Sequence, residues 1–272
     1  MPTYFIKVIL CSALFFGVYK LLFENEKMFH FNRIYLLLSI IFSFIVPFVT
    51  IQTHSQILPS TETSILSLKI LNTYSSTQTS VPVNGSNTLL FILLSIYVTI
   101  TMLLLIRFGV NLKILFLRIS NSLVIPYNNA KLVLINDNLI PHSFLNCIFI
   151  NSEDYNNGKV EDEILLHELT HVRQKHSIDV LFIEIVQAIF WFNPVFILYR
   201  KAIQLNHEFL ADDSVINIYN NTLSYQHLLI DKAGQRNSSL LTSQLSYSIT
   251  KKRLIMMTKS TSPEKLYADK LY

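Results

Sequence analysis

Residues 161–176 read EDEILLHELTHVRQKH, and the fold and chemistry of the chain are read outward from them. Acidic residues open the stretch and basic residues close it, which complements a helix dipole and predicts a helix. Within it, His167 and His171 stand four residues apart. That spacing places two imidazoles one above the other on one helical face, where both can reach a Zn²⁺ ion at about 2.0–2.1 Å. Glu168 is turned about 100° from His167 by the helical period, so it lies off that stripe and can lean over the open position of a metal. A carboxylate there can take a proton from a metal-bound water, whose pKa zinc lowers to about 7. His167 and His171 are therefore candidate metal ligands, Glu168 the candidate catalytic base, and Zn²⁺ the expected cofactor.

A zinc that catalyses needs a third protein ligand. One solution places a His six residues after the second His with a Gly between them, but Ser177 and Gln174 occupy those positions. His176 misses that spacing by one residue and is expected at the surface or an interface. Further along, residues 206–213 read NHEFLADD, and Glu208 and Asp212 again share a helical face. Alone they would read as a solvated acidic face. Downstream of the paired histidines, Glu208 becomes the candidate third ligand, and Asp212 the acceptor for the free ring N–H of a ligand histidine.

The stretch between, residues 178–199, is apolar enough to suggest a membrane crossing. A single crossing would put Glu208 on the side opposite His167, so a hairpin or a membrane-interface element is expected instead. Asn193-Pro194 divides it, because Pro inside a helix costs about 3 kcal/mol whereas Asn followed by Pro starts one. One helix is predicted to end near Phe192 and another to run from Pro194 through Asp213. Glu184 and Gln187 disfavour lipid exposure, and Phe190, Trp191 and Phe192 are expected to anchor at an interface or join the core. Upstream, residues 131–136 and 146–150 read as short strands, one edge of which could take an extended peptide by strand addition. His142 is given a structural reading. Tyr199, Arg173 and Arg200 are possible oxyanion stabilisers, none preferred.

Of 272 residues, 51% are hydrophobic and only 15% charged, a balance that points to the membrane. A spanning helix needs about 20 apolar residues, and residues 4–23, 34–51 and 89–106 qualify. Lys7 within the first run, without a basic leader before it, favours a retained anchor over a signal peptide. Lys20, Lys27 and Arg33 lie in the first connection, whereas residues 52–88 carry only Lys69. By the positive-inside tendency, the N-terminus and the 52–88 loop face outward and the remainder starts in the cytoplasm. The net charge of +4 is scattered, which disfavours nucleic-acid binding, and only five glycines leave no phosphate loop. Cys11 and Cys147 form neither a metal nor a disulfide pattern.

The expected fold is thus a mainly α membrane protein with three transmembrane helices and a small β-sheet. Residues 1–107 form the transmembrane region, 108–260 the domain bearing the metal site, and 261–272 a polar tail.

Several stretches together resemble the BlaR1/MecR1-type membrane metallopeptidases, peptidase family M56: FNRIYLL at residues 31–37, HELTH at 167–171, WFNP at 191–194 and EFLAD at 208–212. The resemblance implies a gluzincin-like zinc peptidase domain on the cytoplasmic face of a multi-pass, bacterial-type inner (cytoplasmic) membrane protein. In the best-known members an outside signal triggers proteolysis, including self-cleavage, that relieves gene repression. Such receptors usually continue into a further transmembrane helix and an outer sensor. Here a basic segment with Lys251, Lys252, Arg253 and Lys259 follows, so signalling is expected to depend on the outer loop or a separate partner. The leading expectation is an endopeptidase whose substrate is a cytoplasmic or membrane-proximal protein, with a transcriptional repressor or the chain itself as candidates. The alternative is a non-catalytic signalling or scaffold protein with a structural or vestigial metal site. A transporter is disfavoured, because the ionisable residues cluster after the spans.

Overall fold

Apolar runs set the first layer of the architecture. The computed structural model describes residues 2–49, 85–137, 140–235 and 240–259. Helix α1 (Pro2–Val18) continues as a π-helical turn over Tyr19–Phe23, and α2 (Phe29–Ile45) closes in a 3₁₀ turn, Val46–Phe48, at Pro47. The third, α3, runs Gly85–Ser120. Three stretches, Thr3–Phe23, Phe29–Phe48 and Thr88–Ser120, are long and apolar enough to cross a membrane. Helix α3 passes the expected end at 106 because Arg107, Lys113 and Arg118 interrupt an apolar run without weakening a helix. Most of the loop expected at 52–88, and the tail expected at 261–272, lie outside the described residues.

Helices α1 and α2 pack antiparallel: Tyr4 donates to the Phe44 carbonyl (3.2 Å) and Tyr35 to that of Phe15 (3.0 Å). Against them lies a helical hairpin, α6 (His176–Ile189) and α7 (Val195–Tyr219). Asn193 turns it, its side-chain oxygen accepting from the Val195 N–H at 3.0 Å while its amide donates to Ser12 at 3.1 Å. The tip meets Phe5 through Phe192 and Phe44 through Phe190, near the start of α1 and the end of α2. The open end meets the other end of the same pair, with Asp179 beside Arg33 and Asn206 donating to the Phe29 carbonyl. Residues 178–199 therefore go out and return rather than cross once. Phe196, Tyr199, Ile183 and Ile203, each at most 1% exposed, form the core between hairpin and spans. Phe190 joins that core and Trp191 stays partly exposed. Helix α3 rests on α6, where Tyr97 donates to the Ile189 carbonyl.

After α3 comes a four-stranded mixed sheet in the order β1-β2-β4-β3: β1 Leu123–Tyr127, β2 Ala130–Ile135, β3 His142–Phe144 and β4 Cys147–Asn151. The two central strands, β2 and β4, pair in parallel and are the two expected from sequence. They read as apolar runs because both faces are covered. On one face Leu132, Leu134, Ile148 and Ile150 meet Leu165, Leu169 and Val172 of α5 (Asp162–Arg173). On the other, Val133, Ile135 and Phe149 meet Leu115 and Ile119 of α3. The edge strands escape the sequence pattern, β1 because Pro126 argues against a strand and β3 because it has only three residues. Asn151 ends β4 and caps α4 (Ser152–Asn156), accepting from the N–H groups of Glu153 and Asp154.

The helix expected over 161–176 stops at Arg173. Lys175 takes the left-handed conformation (φ 55°), and α6 starts afresh at His176. Two further helices, α8 (Thr222–Gln235) and α9 (Leu240–Thr258), fold back over α7. Cys147 is buried, Cys11 is partly so, and both are free thiols.

Candidate metal centre

Helix α5 packs across α7, and that crossing brings His167, His171 and Glu208 together. Their donor atoms all lie within 4.8 Å of one another. The His167 and His171 Nε2 atoms are 3.2 Å apart, Glu208 Oε2 is 3.5 Å from His167 Nε2, and Glu208 Oε1 is 3.8 Å from His171 Nε2. Ligands at about 2.0–2.1 Å from a tetrahedral ion stand about 3.3 Å from each other, so the donor set fits such an ion with modest closure of Glu208. It is the single such cluster of His, Cys, Asp and Glu among the described residues.

The ring nitrogens turned away from the cluster fix which nitrogen stays free. At His167, Nδ1 lies 2.9 Å from the Tyr225 hydroxyl and 3.3 Å from Asp212 Oδ1, and Tyr225 itself donates to Asp212 Oδ1 at 2.9 Å. With the Tyr225 proton committed to Asp212, Nδ1–H of His167 is the donor, so in the neutral ring, the form that can bind a metal, Nε2 carries the lone pair. Asp212 thus stands beside His167, the candidate ligand, on the side away from the cluster. It is only 2% exposed, not part of a solvated face.

Glu168 lies beside the pair, 9% exposed, with a hydrogen bond to Ser143 of β3. Burial lifts its carboxyl, against the pull of the His167 charge, to about 7, in the range that suits a general base at neutral pH. The two histidines are driven apart. Burial works against the His167 cation, yet hydrogen bonds to Asp212 and Glu208 prevail and raise it to about 9. At His171, burial and the neighbouring His167 charge push it down to about 3.

Arg253 and Tyr225 belong to the site but not to any sequence motif. Arg253, on α9, reaches Glu208 Oε2 with Nη1 at 2.8 Å and clasps Asp212 through Nε (2.8 Å) and Nη2 (2.5 Å). Despite burial, the guanidinium and His167 hold the Glu208 carboxyl well below the usual range. Within the basic segment, Arg253 and the buried Met256 stand three apart on one face of α9. No local spacing marks Arg253 or Tyr225, since both reach the site through the packing of α8 and α9 over α7.

Three expectations are corrected. His176 is 3% exposed instead of lying at a surface, because the break at Lys175 turns it back so that its Nδ1 lies 2.8 Å from His171 Nδ1. Tyr199 is fully buried in the hairpin core, bonded to Ser39 and Ser12, and Arg200 pairs with Glu184 at 2.8 Å. Both are thus engaged away from the cluster of His167, His171 and Glu208 and are not placed to stabilise an oxyanion there. Arg173 points to solvent at the end of α5.

Residues 140–257 match the family model described as BlaR1 peptidase M56. The match begins at the edge strand β3 and takes in α5, the α6–α7 hairpin, Glu208 and Arg253. No curated protein matches the chain. The resemblance to M56 peptidases therefore covers β3 to α9, in a chain that also has three membrane-length apolar helices.

Proposed function

We propose that the chain is a membrane-embedded, zinc-dependent endopeptidase of gluzincin-like type, cleaving a cytoplasmic or membrane-proximal protein in signal transduction or transcriptional derepression. The carrying observation is the convergence of His167, His171 and Glu208, with Glu168 alongside. His167, His171 and Glu208 would hold the ion through Nε2, Nε2 and a carboxylate oxygen. An ion held there would supply an acidified water and a Lewis acid for the scissile carbonyl. Glu168 takes the proton of the attacking water and returns it to the leaving amide nitrogen. Asp212, with Tyr225 behind it, orients His167, while Arg253 balances the charge of Asp212 and Glu208. Strand β3 is an edge of the sheet and bears Ser143 beside Glu168, so a peptide added along that edge runs past the base.

Lys27 between the first two spans, with Lys20 and Arg33 near their adjoining ends, supports a cytoplasmic site with the N-terminus outside. The hairpin supports it too, since it returns Glu208 to the end of the bundle that holds His167. The test is metal analysis of protein purified in detergent, with cleavage of a repressor candidate, and of the chain itself, in wild type and Glu168→Gln. Folded protein without zinc would sink the proposal. Unchanged biological output from Glu168→Gln would favour the scaffold reading.

A further inference from the structure

The motif at residues 31–37 has no part in the chemistry described above, yet its arginine lies three contacts from His171. Arg33 of α2 donates through Nε to Asp179 Oδ2 (2.7 Å) and through Nη2 to the Gln174 carbonyl (2.8 Å). Both contacts lead to His171. Along one, the Gln174 side-chain oxygen accepts from His176 Nε2 at 3.1 Å, leaving His176 Nδ1 without a proton and able to accept at 2.8 Å from His171 Nδ1–H. That assignment frees His171 Nε2 for a metal. Along the other, Asp179 accepts from His207 Nε2 at 2.9 Å, and the His207 ring lies flat on His176, centroids 4.0 Å apart and planes within 9°. His207 directly precedes the ligand Glu208.

His176, His207 and Asp179 are 3%, 3% and 7% exposed. Burying such groups incurs a desolvation cost that apolar residues of the same volume would avoid. The set is arranged so that each member fixes the orientation of the next. Its two ends are a helix of membrane-spanning length and the ring nitrogen opposite the metal-binding one.

We propose that Arg33 is a positioning residue for the metal site. Through Gln174, Asp179 and His207 it locks His176, which in turn sets the tautomer and the angle of His171. Helix α2 is thereby coupled to the metal, so a displacement of α2 along its axis alters how His171 is presented. The inference rests on the metal reading of His167, His171 and Glu208.

The experiment measures zinc affinity by chelator competition, and the visible spectrum of the cobalt-substituted protein, for full-length wild type, Arg33→Gln, His176→Phe and the double variant. Partners of this kind contribute about 10–100-fold to metal affinity. Each single variant is expected to weaken zinc by that order and to shift the cobalt bands. The double variant is expected to be no weaker than the worse single, because both break one chain of contacts. Arg200→Gln, which breaks an α6–α7 ion pair away from the site, leaves affinity and spectrum unchanged. Should Arg33→Gln not fold, Asp179→Asn is measured with the same two outcomes. Wild-type affinity and spectrum in Arg33→Gln would overturn this inference alone. A wild type that takes up no zinc would overturn the metal reading as well.

Discussion

Replacing Arg253 by Met should destabilise the metal-free protein far more than its surface-like sequence context suggests. The guanidinium side chain is 12% exposed and makes three bonds, two to Asp212 (3% exposed) and one to Glu208 (30% exposed). Methionine keeps the volume of the stem but leaves two carboxylates, one helical turn apart, without their cation. Removing one partner of a buried ion pair costs about 3–5 kcal/mol. Glu208 is partly solvated and contributes less, so the low end, about 3 kcal/mol, is expected without zinc. Saturating zinc supplies a replacement cation to Glu208 but not to Asp212, and should reduce the loss to about half that figure. Adding Asp212→Asn to Arg253→Met removes the stranded charge and should recover about 1–2 kcal/mol in the metal-free state. The assay is unfolding in mixed micelles, run with chelator and with zinc. A chelated Arg253→Met within about 0.5 kcal/mol of wild type would refute the reasoning, as would a loss that zinc deepens.

Three further outcomes follow. Glu168→Gln should keep its zinc while cleavage falls by about 10²–10⁴-fold, measured by metal content and peptide-bond hydrolysis on one preparation. Tyr225→Phe removes the hydroxyl between His167 and Asp212 and should weaken zinc by about tenfold, read by chelator competition; unchanged affinity would show that Asp212 alone orients His167. Against its burial, the bonds from His207 and Arg33 hold the Asp179 carboxyl below its ordinary value. A depressed carboxyl stabilises the fold above its unfolded pKa, about 3.9, and loses that contribution as pH falls through the folded value. The stability gap between wild type and Asp179→Asn should therefore be flat above about pH 5 and shrink below about pH 4. A gap undiminished at pH 3 would contradict the ion-pair assignment.

What the sequence made legible was whatever a short repeat enforces. The four-residue spacing of His167 and His171, and of Glu208 and Asp212, survives any tertiary arrangement of the helices, so the candidate ligand set could be written down before the crossing of α5 and α7 was known. The hairpin at Asn193-Pro194 followed from one covalent fact, the missing proline N–H, together with the requirement that Glu208 return to His167. Strands β2 and β4 announced themselves because both of their faces are buried. Arg253 and Tyr225 did not, since they reach the site only by the packing of α8 and α9 over α7, which no local spacing encodes. His176 was misjudged because a lone histidine carries no sign of the left-handed turn at Lys175 or of the His207 ring that covers it. Arg33 stood in a recognisable motif, but its partners lie on other helices.

The most direct test of the central claim is zinc stoichiometry combined with X-ray absorption at the zinc edge, on wild type and Glu208→Ala purified in detergent. The account predicts about one zinc per wild-type chain, with two imidazoles and a carboxylate oxygen at about 2.0–2.2 Å, and loss of the carboxylate signal with weakened retention in the variant. A folded wild type lacking stoichiometric zinc, or a Glu208→Ala spectrum identical to wild type, would contradict it.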